Sequence, residues 1–167
     1  DGFLVEYFDG NNFNEGLILE ERLIGSKFWV FEGFAKDVIS KEERPNISVK
    51  FSCEYTPDIS GQHEFEIFGI GQCRLLINDK ELIDNWNNID PGEAFFTFGS
   101  ASRRSVADFQ KGKTYRIEMQ YHFEGSFPAV YIGCRPPDEV DLFAEAIEAA
   151  SNAEEVVLIV GTNSDWE

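Results

Sequence analysis

Basic residues are scarce: 14 Lys and Arg stand against 31 Asp and Glu, for a net charge of −17. A nucleic-acid binder needs a basic stripe to displace counterions from the phosphate backbone, so no nucleic-acid partner is expected. Long apolar runs are also missing. None approaches the roughly 20 residues that span a bilayer, so no membrane partner is expected either. Cysteine is sparse: Cys53, Cys73 and Cys134 lack metal-ligand spacing, and an odd number cannot all pair internally. Cys53 stands among core-facing residues and reads as a small buried hydrophobe, and a reducing compartment is favoured. No metal site and no cofactor are expected. The chain opens Asp1-Gly2, without an initiator Met, basic flank or apolar signal core, which suggests a start within a longer protein or after processing. The compartment stays open. What the chain does have is 43% hydrophobic residues and 16 Phe, the composition of a folded core.

The pattern is clearest between Asn46 and Trp86. Ile47, Val49, Phe51, Cys53 and Tyr55 alternate with Ser48, Lys50, Ser52 and Glu54, which predicts a strand with one buried and one wet face. Thr56-Pro57-Asp58-Ile59-Ser60-Gly61 supplies turn chemistry. His63, Phe65 and Ile67 alternate with Glu64 and Glu66 on a return strand, where His63 reads as a satisfied core histidine. Arg74–Ile77 and Leu82–Ile83 flank Asn78-Asp79-Lys80-Glu81 as a hairpin loop. Four such strands predict one antiparallel sheet packed on a second, an all-β two-sheet sandwich.

Phe3–Phe8 reads as an edge or entry strand and Asp9–Asn12 as a turn, while Glu15–Gly33 is mixed, with Trp29 and Phe31 in a short strand. Tyr115, Ile117, Met119, Tyr121 and Phe123 alternate with Arg116, Glu118, Gln120 and His122, placing the aromatics in the core and His122 on the wet face. Ala129–Cys134 is the last strand, and Pro136-Pro137 stops it because neither proline can donate to a ladder. From Asp138 the period changes. Val140, Phe143, Ala144, Ile147 and Ala150 mark an amphipathic helix, and Val156–Val160 is an apolar run expected to be a buried parallel strand. Residues 1–137 are therefore expected to be a β-sandwich module, and 138–167 a helix–strand fragment of an α/β domain.

Three stretches carry a resemblance: Gly2–Phe8, Tyr55-Thr56-Pro57 with Ser60-Gly61 and Phe65, and Leu76-Ile77-Asn78-Asp79-Lys80-Glu81-Leu82-Ile83-Asp84-Asn85-Trp86. They resemble the anthrax protective-antigen fourteen-kilodalton domain family, a β-sandwich that commonly binds sugars. Gly112-Lys113, Tyr115, Ile117 and Tyr121 look like its closing strand. The tail, from Ala146 through Val156–Val160 to Asp165-Trp166-Glu167, looks like the α/β-sandwich domain of glycoside hydrolase family 3. That resemblance implies a sugar-binding module inserted in a retaining β-glucosidase. Retaining chemistry uses two carboxylates about 5 Å apart. The nucleophile's domain is absent here, and Glu167 falls beside the family's Glu-Gly-x-Asp-Arg acid/base run. No catalytic residue is assigned and the fragment is expected to be inactive alone. Sugar-binding adhesins of the sandwich family carry an Asp-Asp pair for calcium. The matching loop here, Gly69-Ile70-Gly71-Gln72-Cys73, has no carboxylate, so calcium-dependent binding is not expected.

The remaining candidates for contact with an oligosaccharide or glucoside are loops. Asn87–Arg104 combines Phe95, Phe96 and Phe98 with Arg103 and Arg104, and Glu124–Phe127 adds Phe127. Aromatic rings stack on the C–H faces of sugars, flanked by hydrogen-bonding side chains. Two other readings stay open: Phe95-Phe96 begin a packed strand, and Arg103-Arg104 are solvated surface. Trp86, at a strand end, is expected in the core. The implied partners are the sugar and the remaining domains of the same enzyme. A homo-oligomer, or a spacer role supporting one, is the alternative.

Overall fold

The computed structural model describes residues 2–39, 46–137 and 142–157. The chain divides into two compact units, Asp1–Pro137 and Asp138–Glu167. The described residues of the first form ten strands: β1 (Phe3–Asp9), β2 (Leu17–Leu23), β3 (Lys27–Trp29), β4 (Asn46–Tyr55), β5 (Gly61–Ile70), β6 (Gln72–Ile77), β7 (Lys80–Asn85), β8 (Arg103–Phe109), β9 (Tyr115–Glu124) and β10 (Ala129–Arg135). One 3-10 turn (Val30–Glu32) and the short helix α1 (Lys36–Ile39) follow β3. The strands form two antiparallel sheets, ordered β2-β1-β4-β9-β6-β7 and β3-β10-β5-β8.

The expected two-sheet sandwich is present, but the four strands after Asn46 do not share a sheet. β4, β6 and β7 lie in the six-stranded sheet and β5 in the other. The five residues Thr56–Ser60 between β4 and β5 arch across the sandwich instead of closing a hairpin. Each strand can then turn its apolar face to the other: Ile47, Val49 and Phe51 are buried from one side, and His63, Phe65 and Ile67 from the other. The loop between β6 and β7 is Asn78-Asp79 alone. Both residues have positive φ (50° and 64°), the two-residue turn whose twist suits paired strands.

Aromatics fill the space between the sheets. Phe28 and Phe51 are 4.8 Å apart between ring centroids, and Phe34 packs on Phe51 at 5.7 Å. His63 is fully buried, bridging the Tyr55 hydroxyl at 3.0 Å and the Ile59 carbonyl at 3.1 Å, as a satisfied core histidine must.

The outer face of the six-stranded sheet is drier than alternation implies. His122, expected on a wet face, is buried, with Nδ1 3.3 Å from Ser48 Oγ and Trp86 over its ring at 6.1 Å. Trp86 in turn is not a core residue. It lies half-buried on this outer surface, edge-on to Phe13 at 5.8 Å and beneath the Arg74 guanidinium at 5.0 Å. Lys50 lies against the Phe8 ring at 5.1 Å and pairs with Glu6 at 2.9 Å. Cys53 is only partly buried. β2 had no clear sequence signal, because Leu17-Ile18-Leu19 puts apolar residues on both faces. Trp29 does lie in a short strand, whereas Phe31 falls in the 3-10 turn.

In the second unit, Leu142–Ser151 forms helix α2. The run Val156–Val160 was expected to be a strand. Val156 and Val157 are not in one, and the rest of the run, Val140 and Glu167 lie outside the described residues.

Candidate functional site: an aromatic tip held by a strained turn

Strand direction gives the sandwich two unlike ends. Phe3 of β1 and Arg135 of β10, where the chain enters and leaves, lie at the end holding Tyr55 and Gly61. The opposite end gathers Trp29, Asn85, Glu124 and Ala129 with the loops that follow or precede them.

At that second end residues 86–102 form a compact turn. Ser100 anchors it from below. Its Oγ accepts from Asn85 Nδ2 at 2.8 Å and from the Gly69 N–H at 3.2 Å, and its own N–H donates to the Gly69 carbonyl at 2.9 Å. Asn85 and Ser100 are both buried, so these bonds act away from competing water. Cys73 also touches Asn85, at 3.5 Å, and burial pushes its thiol up to about 11, which keeps it an unreactive packing group at neutral pH. Gly92 donates to the Gly99 carbonyl at 3.0 Å, and a Cβ there would come within 2.4 Å of the Ser100 carbonyl oxygen. Glycine is required for that close approach.

Above this anchor the backbone does something unusual. Phe95, Phe96 and Thr97 have φ of 51°, 59° and 70°, three consecutive residues with side chains in the left-handed region. Each costs about 1–2 kcal/mol relative to right-handed geometry, and a β-branched Thr is the least suited of the three. The turn directs Phe95 inward, where it is buried against Trp29 at 5.6 Å and Phe68 at 5.6 Å. Phe96 and Phe98 point outward and are 73% and 75% exposed. Phe95-Phe96 therefore begin no strand.

The sequence-predicted residues separate into groups. Phe96 packs on Trp29 at 5.4 Å, Trp29 on Phe31 at 5.0 Å, and Phe31 on Phe127 at 5.8 Å. Phe127 thus joins Phe95 and Phe96 through two rings, Trp29 and Phe31, that were not expected at the site. Phe98 has no ring neighbour among the described residues. Arg103 is a strut: it donates to the Asn88 carbonyl at 2.8 Å and to Asp90 Oδ2 at 2.7 Å, tying the start of the loop to β8. Arg104 lies on the outer face of the four-stranded sheet and donates twice to Glu66 Oε1, at 3.1 and 3.0 Å. That carboxylate, which also accepts from Ser102 Oγ, holds the guanidinium more firmly protonated. Neither arginine extends a free fork toward the rings. Trp29 Nε1 is buried without a hydrogen-bond partner among the described residues.

The arrangement offers stacking surface in the exposed Phe96 and Phe98 rings, and the Lys27 ammonium lies over the Trp29 ring, 5.6 Å from its centroid. Among the described residues no group of His, Cys, Asp and Glu is placed to hold a metal ion.

Residues 31–126 match the family described as PA14 domain. The chain is 26% identical to a probable β-glucosidase I of Emericella nidulans over 99% of this chain and 21% of that protein. It is 31% identical to a probable β-glucosidase H of Aspergillus clavatus over 68% of this chain and 15% of that protein. Its fold matches the crystal structure of a Kluyveromyces marxianus β-glucosidase in complex with glucose, with TM-score 0.79, 23% identity, and coverage of 99% of this chain and 20% of that one. The chain thus spans about a fifth of the length of the β-glucosidases it resembles.

Proposed function

This chain belongs to the PA14 domain family, and we propose that it is the carbohydrate-binding, substrate-specificity module of a retaining family 3 β-glucosidase. In this reading residues 1–137 are the inserted module and 138–167 return to the enzyme's α/β domain. The aromatic tip shapes the aglycone side of the active site and takes no part in bond cleavage. The observation that carries the reading is the left-handed turn at Phe95–Thr97, which holds Phe96 and Phe98 in water at a cost in stability. Strained backbone persists where the surrounding structure over-determines it, and such strain clusters at ligand clamps. The likeness to β-glucosidases along 99% of the chain supports the choice of a glucoside as ligand.

A second reading, a spacer or protein-contact module, draws on the same exposed rings, since Trp29–Phe31 and Phe31–Phe127 meet edge-to-face and leave no single flat platform. Replacing Phe96 and Phe98 together by Ala in the complete enzyme separates the two. A sugar-contact role changes the ratio of kcat/KM between a disaccharide and longer glucosides, and leaves a small aryl glucoside nearly unaffected. An unchanged ratio with an altered oligomeric state supports the spacer.

A further inference from the structure

β2 is the outer strand of the six-stranded sheet, so one side of its backbone has no ladder partner among the described residues. Its neighbourhood is apolar for an edge: Leu17 is 54% exposed, Ile18 40% and Ile24 86%. Side chains 19, 21 and 23 turn toward the sandwich. Leu19 and Leu23 pack on the core, and Glu21 Oε1 accepts from the Tyr7 hydroxyl at 2.6 Å. Glu20 and Arg22 turn the other way. Both are exposed, and neither has an ion partner among the described residues. The ladder to β1 is regular from Leu19 to Leu23. A bulge at Ile18, between the pairs Tyr7↔Leu19 and Phe8↔Leu17, marks one end, and the chain leaves the strand after Leu23 at the other.

The segment Ile18-Leu19-Glu20-Glu21-Arg22-Leu23-Ile24 has a property that acts only between two copies. Its apolar residues are symmetric about Glu21, while the charges flanking Glu21 are opposite in sign. We propose that β2 pairs antiparallel with β2 of a second copy of this chain, about a twofold axis through Glu21. In that register Glu20 stands opposite Arg22 of the second copy, twice by symmetry. Leu19 stands opposite Leu23, and Ile18 opposite Ile24. Directly opposed charges of unlike sign and paired aliphatic side chains are what stabilises neighbouring strands. A twofold interface requires this self-complementarity, residue i meeting j while j meets i. This register also sets Glu21 opposite Glu21 of the second copy, but it adds two unlike pairs, whereas the registers centred on Glu20 or on Arg22 set like charges face to face with no unlike pair to offset them. Glu21 lies on the axis with its carboxylate drawn back to its own Tyr7. An uncovered, partly apolar edge is a template for a further strand, and a second copy supplies one with matched charge.

Sedimentation equilibrium of the full chain, over micromolar to millimolar concentration, tests the pairing with a charge-reversal cycle. The wild type is expected to dimerise. Arg22→Glu and Glu20→Arg each place like charges opposite one another twice, and each is expected to raise the dissociation constant by about tenfold or more. An equimolar mixture of the two variants restores every pair and is expected to form a heterodimer, and the doubly exchanged chain (E20R with R22E) is expected to regain the homodimer. Since both side chains are exposed, thermal unfolding of each variant should match the wild type at dilutions where the wild type is monomeric, which separates lost pairing from lost fold. A monomeric wild type across the range overturns the proposal. So do single variants that dimerise like the wild type, or a mixture that stays monomeric.

Discussion

Tyr121 of β9 donates its hydroxyl to the Ile70 carbonyl of β5 at 2.5 Å, so the two sheets are joined by a hydrogen bond as well as by apolar packing. The same oxygen accepts from the Ala129 N–H of β10 at 3.1 Å, and the side chain is fully buried. Burial raises the phenol's proton affinity far above its ordinary value, so it remains a neutral donor throughout the range in which the protein is folded. Removing the hydroxyl leaves Ala129 N–H and Ile70 C=O without this partner while the ring remains. Tyr121→Phe is expected to lower the unfolding free energy by about 1–3 kcal/mol, and Phe51→Ala, which opens a core cavity, by about 3–5 kcal/mol. Urea unfolding with an unchanged m-value checks both, and a Tyr121→Phe chain as stable as wild type would remove the hydroxyl from any structural role.

The strained turn makes the opposite kind of forecast. Thr97 holds φ of 70° with a β-branched side chain, and glycine adopts that conformation without steric cost. Thr97→Gly is expected to stabilise the chain by about 1 kcal/mol after the entropy of the more flexible unfolded chain is deducted. A rise in thermal midpoint is the readout, and a fall would mean that the Thr side chain compensates the strain by contacts of its own.

His122 gives a pH dependence. Burial lowers its proton affinity below the ordinary value of 6.5, and the nearby Glu124 carboxylate, then a backbone bond at Ile47, only partly oppose this. Well above pH 6.5 the imidazole is neutral in both folded and unfolded chains and contributes no pH dependence. As pH falls below that value the unfolded chain takes up a proton before the folded one does, so stability drops until the lowered folded pKa is passed. His122→Gln should therefore lose less stability than wild type over this window. The difference between the two melting-temperature profiles isolates His122 from the carboxylates common to both, and parallel profiles would contradict the assignment.

Much of this was legible in the residues. Strict alternation in Tyr115–Glu124 and Asn46–Tyr55 identified which side chains enter the core, because strand side chains have a fixed period of two. Alternation distinguishes faces and not sheets, so nothing in it separated an arch at Thr56–Ser60 from a hairpin. Nor does it tell whether an outer face is wet. Lys50 and His122 are covered because Phe8, Phe13 and Trp86 lie on that face, and those contacts come from other parts of the chain. At the tip, Phe95, Phe96 and Phe127 stood out as aromatics in loops, but Trp29 and Phe31 join them from more than sixty residues away. The available hint was local: Phe28 faces the core, so its neighbour Trp29 must face out.

Phe3 and Arg135 lie at one end of the sandwich and the rings at the other, so the full strand length separates them. β4 and β9 each run ten residues between the two ends, which at about 3.3 Å per residue is an arm of roughly 30 Å. A tilt of the strands of about four degrees over that length displaces a ring at the tip by roughly 2 Å, and under the proposed function a misplacement of about 1 Å can cost a hundredfold in rate. Under the proposed function, precision at the tip then depends on the Phe3 and Arg135 end as much as on the rings themselves. A shift at that end, although it touches no ring of the tip, is expected under that function to blur selectivity.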